Sequence, residues 1–164
     1  MRIIAGKYKS RKINSLPDNK ITRQRSFRPT LDRSRETLFN VLNNLIEFEG
    51  ITALDLFAGT GAFGFETISR GAQKCTFLDI SSDSAKIIAK TAEELECKNQ
   101  VEIVRAKAES FLRENTGAEF NLVFADPPYD YKEYDNLIKA IEKIHFEILV
   151  IETDNALKIK MKDK

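Results

Sequence analysis

Three glycines and three carboxylates carry most of the chemistry this sequence makes available. In Asp55-Leu56-Phe57-Ala58-Gly59-Thr60-Gly61-Ala62-Phe63-Gly64, the glycines at 59, 61 and 64 keep the G-x-G-x-x-G spacing between an apolar run and a helical pattern. Asp79 lies at the end of the next apolar run, where a carboxylate can hold the hydroxyl pair of a ribose. Together they point to a nucleoside or nucleotide; the bland alternative is a glycine turn made for packing, with Asp79 as an acid at a helix start. Asp55 discriminates between ligands. A dinucleotide would lay its pyrophosphate over this loop, at the helix N-terminus, and a fixed carboxylate repels phosphate strongly at short range. It suits a cationic amino group instead. S-adenosylmethionine has one, with a carboxylate for backbone N–H groups and a ribose for Asp79. The other possibility is that Asp55 faces away and only caps the turn.

Asp126-Pro127-Pro128-Tyr129 closes a later run that is apolar apart from Asn121. An exocyclic amine on a nucleobase is a weak nucleophile, because its lone pair is delocalised into the ring. Asp126 can accept one of its N–H bonds and the Pro127 carbonyl the other, drawing the nitrogen towards tetrahedral geometry. The carboxylate also stabilises the positive charge that develops on nitrogen during attack. Pro127 and Pro128 fix the backbone that carries both acceptors. Tyr129 offers a face for base stacking, worth about 1–3 kcal/mol, to a base that has left its helix. Alone, the tetrapeptide serves equally as a strand-ending turn. Behind the glycine loop and its acids, it predicts methyl transfer to a base amine.

Positioning these groups requires strands that end where the loops begin. Residues 51–57, 75–80, 101–105, 120–125 and 146–152 read as strands. Between them, helices are predicted over 62–69, from a Ser81 or Ser82 cap to about 96, over 107–114 and over 131–144. Near-continuous apolar strands alternating with helices predict a parallel sheet covered on both faces, and ligands sit beyond the carboxyl ends of such strands. Residues 157–161 alternate apolar with lysine, as an edge strand guarded by charge. Ahead of the sheet, 2–5 and 8–13 read as a hairpin around Gly6-Lys7, and 14–27 as a loop with a turn at Pro17-Asp18-Asn19. A helix follows, capped by Thr30 or Asp32, with Leu38, Val41, Leu42 and Leu45 on its apolar face, and Gly50 ends it.

The 164 residues are one domain's worth, read as a basic extension over 1–27 on a body over 28–164, compact as a unit. The 42% hydrophobic and 31% charged residues describe a globular chain. No apolar run approaches the roughly 18 residues of a membrane span and no secretory signal is visible, so a cytoplasmic location with reduced Cys75 and Cys97 is expected. One histidine and two cysteines make a metal site improbable. The net charge of +1 hides a segregation: residues 1–35 hold eleven Lys and Arg against two acids, a net of +9, and the rest fifteen against twenty-three, a net of −8. Such a basic end is an electrostatic footprint for nucleic acid; its bland alternative is a solvated arm.

Met1-Arg-Ile-Ile-Ala-Gly6, Arg28-Pro29-Thr30-x-Asp32-Arg33-x-Arg35-Glu36-Thr37-Leu38-Phe39-Asn40, Asp55-Leu-Phe-Ala-Gly-Thr-Gly61, Ser69-Arg-Gly-Ala72 and Asp126-Pro-Pro-Tyr129, in that order, resemble the RsmD-type 16S ribosomal RNA guanine-N2 methyltransferases. The last motif is shared with DNA amino-methylases; the block over 28–40 narrows the resemblance. It implies a class I, Rossmann-like methyltransferase fold with a mostly parallel twisted sheet, to which this sequence adds a small N-terminal hairpin and a shortened C-terminal edge. It also implies methyl transfer from S-adenosylmethionine to the N2 amine of a guanine in 16S rRNA, within a small subunit or its assembly intermediate; a monomer using no metal or membrane is expected. On this resemblance Asp126, Pro127, Pro128 and Tyr129 are catalytic. Asp55, Phe57, Ala58, Gly59, Gly61, Asp79, Ile80, Ala106 and Ala108 surround the cofactor. Arg28, Thr30, Arg33 and Arg35 hold RNA near the site, with Arg2, Lys7, Lys9, Arg11 and Lys12 extending the basic track. Two departures stand out. Ala106-Lys107-Ala108 lacks the family's acid after the third strand, leaving the backbone there to meet the adenine, and the sheet edge ends after one lysine-rich strand. The competing functions are a DNA amino-methylase, a non-catalytic RNA-binding module and an NAD-dependent oxidoreductase. His145, Cys75, Cys97, Tyr131, Tyr134 and Lys158, Lys160 and Lys162 are read as structural or protective.

Overall fold

Apolar runs too short for helices become strands, and each of the first four leads into a helix that returns the chain. In the computed structural model, which describes residues 1–15, 29–128, 130–153 and 156–162 (side chains of 29–33 and 156 excepted), the order is α1 (Pro29–Leu42), β1 (Thr52–Asp55), α2 (Ala62–Ser69), β2 (Lys74–Leu78), α3 (Ser82–Glu94), β3 (Val101–Val104), α4 (Ala108–Glu114), β4 (Glu119–Ala125), α5 (Tyr134–Ile141), β5 (His145–Thr153) and β6 (Ala156–Met161). The six strands form one sheet in the order β3-β2-β1-β4-β5-β6. The first five are parallel and β6 pairs antiparallel with β5. Leu157 and Met161 on β6 are exposed, as expected of the edge.

The chain first winds from β1 to β2 and β3, then crosses back to β4 beside β1. The crossovers therefore change faces between β1 and β4, which makes that gap the topological switch point. Two cores follow. One joins Ala53, Cys75, Phe77, Leu122 and Phe124 to α1, α2, α3 and the N-terminal segment. The other joins Leu54, Leu78, Val123 and Leu149 to α4 and α5.

Several boundaries differ from expectation. The N-terminal hairpin is short: one antiparallel bridge, Arg2–Lys12, closes a turn containing Gly6 (φ 81°) and Ser10 (φ 66°). Its Ile3, Tyr8 and Ile13 are buried in the first core, so this segment is packed into the domain. Helix α1 starts at Pro29, whose fixed φ suits a first helical position, so Thr30 and Asp32 lie inside it rather than capping it. It buries Leu38, Phe39 and Leu42, while Val41 is exposed and Leu45 lies past the helix end. Helix α5 starts at Tyr134, not 131, because Tyr131 N–H closes a turn on the Pro128 carbonyl (2.9 Å). Ser81 caps α3, its hydroxyl accepting from Ser84 N–H at 3.3 Å. The loop over 16–27, with its turn at Pro17-Asp18-Asn19, lies outside the described residues, as do Arg28 and Tyr129.

Candidate active site

The carboxyl ends of the inner strands are stitched together, and every loop singled out above leaves from there. Leu56 N–H donates to Phe124 O (2.9 Å), Ala58 N–H to Leu78 O (2.9 Å) and Asp79 N–H to Val104 O (3.2 Å). Asp55 is in register with Phe77 on one side and Phe124 on the other. Asp126 follows two residues after Phe124, so the two acids stand at neighbouring strand tips across the switch point.

Asp55 is 2% exposed, and its Oδ2 accepts from Gly64 N–H at 3.3 Å. That N–H belongs to the first turn of α2, where a carboxylate is favoured by the helix dipole. The carboxyl group thus lies beneath the glycine loop, fastened to it from below. Packing dictates one of the glycines: a Cβ at Gly64 would sit 2.2 Å from the Phe77 ring, so only glycine lets α2 settle this close to β2. Asp79 acts as a clamp. Its Oδ2 accepts from Gly59 N–H (2.7 Å) and its Oδ1 from Ser81 N–H (2.8 Å), joining the glycine loop to the start of α3. Beside it Ile80 is 64% exposed, an aliphatic side chain with little apolar cover. Phe57 and Ala106 are half-buried, and Ala58 and Ala108 buried. Asp126 is half-buried, Pro127 buried and Pro128 exposed.

Tyr131, which sequence reasoning gave to helix packing, has another place. Its ring meets Phe57 edge-on (5.5 Å, 73°) and Tyr134 likewise (5.3 Å, 90°), and its hydroxyl donates to Glu109 of α4. It thus ties the Pro127-Pro128 turn to the glycine loop. The only sequence signal was a tyrosine recurring at 129, 131 and 134 directly after that turn.

The predicted basic residues are less concentrated. Lys7, Lys9, Arg11, Lys12 and Arg2 are exposed, but their segment is fastened to the last turns of α2 and α3. Lys7 N–H donates to Ser69 O (2.7 Å) and the Arg11 guanidinium to Glu94 O (2.6 Å). Helices of a parallel sheet run against the strands, so those last turns lie at the end opposite the glycine loop. The Arg2 guanidinium donates to Ser10 O (2.7 Å), and Arg35 donates to Arg2 O (2.5 Å), linking α1 to the N-terminus. Thr30 and Arg33 lie in the first turns of α1.

An adenosyl group suits these tips: Ile80 and Phe57 offer apolar faces for a base, and Asp79 has lone pairs left for a ribose. Three carboxylates at one rim disfavour a pyrophosphate and favour a cation. Among the described residues no cluster of three His, Cys, Asp or Glu could hold a metal ion, and no helix is long and apolar enough to cross a membrane.

Comparison with known proteins decides the family. The family model described as "Conserved hypothetical protein 95", the RsmD family, matches residues 1–162. The chain belongs to this family. "Ribosomal RNA small subunit methyltransferase D" of Haemophilus influenzae is 36% identical over 143 residues, 86% of this chain and 70% of that protein. The Escherichia coli protein of the same name is 36% identical over 142 residues, 87% and 67% of the two chains. The solved structure "Putative methyltransferase yhhF from Escherichia coli" superposes with a TM-score of 0.76 at 30% identity, covering 93% of this chain and 81% of that one. The fold is accordingly the Rossmann-like class I methyltransferase fold.

Within this family member, two of the motifs read each other. Buried Glu66 accepts from Ile4 N–H (2.7 Å) and Ala5 N–H (3.0 Å), and pairs with Arg70 (2.9 Å). Ser69 Oγ donates to Ala5 O (2.5 Å) and accepts from Tyr8 N–H (2.9 Å). Arg70 lies over the Phe39 ring, 4.7 Å from its centroid. The block over 1–6 and the block over 69–72 are thus one contact, made across more than sixty residues of chain.

Proposed function

We propose that the protein transfers a methyl group from S-adenosylmethionine to the exocyclic N2 amine of a guanine in 16S rRNA of the small ribosomal subunit. The observation that carries the proposal is the pairing of the two strand tips: Asp55 in register with Phe124, and Asp126 two residues further on, across the switch point. Support for RNA comes from relatives named as small-subunit rRNA methyltransferases.

The cofactor supplies an electrophilic methyl on a sulfonium. Asp79 and Ile80 hold its nucleoside, and the acidic rim with Asp55 beneath it favours its positive charge. Asp126 and the Pro127 carbonyl hold the two hydrogens of the incoming amine, and the carboxylate stabilises the charge that grows on nitrogen. The proton passes to water afterwards, from a nitrogen acidified by its new positive charge, so no strong base is needed. Tyr131 keeps the Pro127-Pro128 turn against Phe57, so the two half-sites stay in fixed relation.

Incubating the protein with undermethylated small subunits and labelled cofactor, then analysing nucleosides by mass spectrometry, tests this directly. N2-methylguanosine is expected; N6-methyladenosine, or methyl incorporation into duplex DNA in preference to RNA, would refute it. Asp126→Ala should lower kcat by about 10²–10³-fold with cofactor affinity within a few-fold of the parent. A parental rate would remove Asp126 from the chemistry.

A further inference from the structure

The basic residues of the N-terminus sit away from the strand tips, yet a polyanion bound at those tips needs counter-charge nearby. The seam between α4 and α5 supplies one cation at the tips, Lys107, and three more along the flank that leads away from them. A cleft of about 430 Å³ lies there, lined by Lys107, Glu109, Arg113, Glu133, Lys139 and Lys143 among others. Four cations face two acids, in a part of the chain whose net charge is −8. Among the described residues none of the four cations is in an ion pair. Arg113 has only a long hydrogen bond to Ser110 Oγ (3.4 Å), and one oxygen of Glu109 accepts from the Tyr131 hydroxyl.

The placement is graded. Lys107 immediately precedes α4, between Ala106 and Ala108 at the strand tips, and Glu133 sits at the start of α5, two residues after Tyr131. Arg113 and Lys139 lie in the last turns of their helices and Lys143 just beyond α5. The cleft therefore opens at the strand tips with Lys107 and its two acids, and its other three cations lie towards the opposite end of the sheet, where Lys143 O accepts from Gly117 N–H (2.9 Å).

We propose that the α4–α5 cleft binds the sugar–phosphate backbone of the substrate RNA where the strand leads away from the target nucleotide along the flank of the domain. The inference rests on the rRNA reading above. Lysines on flexible stems and one arginine fork position a strand without reading its sequence.

Salt-dependent binding tests it. Wild type, an Arg113→Gln/Lys139→Gln/Lys143→Gln variant and a Lys7→Gln/Lys9→Gln/Lys12→Gln variant are titrated with labelled 16S rRNA between 50 and 200 mM salt, and assayed for KM with undermethylated subunits. Losing three phosphate contacts should lower the log–log salt slope by about 2. Wild type should then lose about 20-fold more affinity than the cleft variant across that range. The cleft variant should also show a raised KM for subunits with unchanged cofactor affinity and melting temperature. An unchanged slope and KM, or a loss confined to the N-terminal variant, would overturn the cleft. Wild type that neither binds nor methylates rRNA would instead bring down the reading beneath it.

Discussion

Replacing Gly6 by alanine should unseat the N-terminal segment from α2 at a cost of about 3–6 kcal/mol. Gly6 has φ 81°, and a Cβ built there lies 1.8 Å from Ser69 O, 2.3 Å from Ser69 C and 2.9 Å from Arg70 N. All three are backbone atoms, so no rotamer change relieves them. The left-handed conformation alone costs about 1–2 kcal/mol. Opening the contact from 1.8 Å to the 3.0 Å floor displaces the segment enough to break Lys7 N–H to Ser69 O, Tyr8 N–H to Ser69 Oγ and Ser69 Oγ to Ala5 O. Three hydrogen bonds at about 0.5–1.5 kcal/mol each complete the figure, against a total stability of about 5–15 kcal/mol. Gly50 separates conformation from contact. Its φ is 76°, but nothing lies within 4 Å of its Cβ position, so Gly50→Ala should cost only the backbone term of about 1–2 kcal/mol. Urea unfolding followed by circular dichroism gives both values, and hydrogen exchange at the Lys7 and Tyr8 amides reports local release of the segment. If the two variants unfold within 1 kcal/mol of each other, and those amides stay protected, the contact does not hold the segment down.

Asp79→Ala removes the acceptor of two backbone N–H groups and the proposed ribose ligand. At about 1.5–3 kcal/mol for a hydrogen bond to a charged group, cofactor affinity should fall roughly ten- to a hundred-fold by titration calorimetry, and an unchanged value would place the ribose elsewhere. Both cysteines are free and buried. Burial pushes the Cys97 thiol from 9.0 to about 11, and burial together with Asp55 pushes Cys75 well above its ordinary value. A thiol whose folded value exceeds its unfolded one binds its proton more tightly when folded, so the stability it contributes is present below about pH 9 and is lost as pH rises towards 11. Urea midpoints should therefore fall between those limits, less steeply in Cys97→Ala, and iodoacetamide at pH 8 should label neither thiol until the chain is unfolded.

The parts of the fold legible in the sequence are those that local chemistry marks. Helix α2 falls on its expected bounds because glycines punctuate both ends, and Ser81 announces α3 because a hydroxyl there satisfies a free N–H. The strands begin or end within a few residues of expectation, and β1 and β2 are shorter at their carboxyl ends because the tips bend into the loops that make the site. What escaped notice depends on partners far away in the chain. Tyr131 carries a helical pattern, yet leaves the helix for an edge contact with Phe57, a tertiary choice that periodicity does not see. The charge of the first 35 residues reads as a nucleic-acid footprint, with a solvated arm as its alternative, but Ile3, Tyr8 and Ile13 bury themselves against helices more than twenty residues downstream. Asp55 was legible as an acid beside a glycine loop, and the capping weighed as its other role is the contact it makes with Gly64 N–H.

Helix α2 explains why the site and the N-terminus belong to one device. Its first turn is held by Asp55 through Gly64, and the glycine loop that precedes it is held by Asp79 through Gly59. Its far end is held by residues 4–8 through Glu66 and Ser69. A helix of eight residues is too short to be stable by itself in water, so its position is set by these fastenings and by the Phe65–Phe77 contact beneath it (4.9 Å between ring centroids). Loosening either end moves the same rigid element. The N-terminal segment, remote from the strand tips and carrying charge that suggests RNA, thus has a structural effect on the cofactor loop that requires no contact with RNA. That separation is why the two basic surfaces must be tested against each other: loss of activity on changing the N-terminus could arise through α2, whereas the salt slope counts phosphate contacts and nothing else.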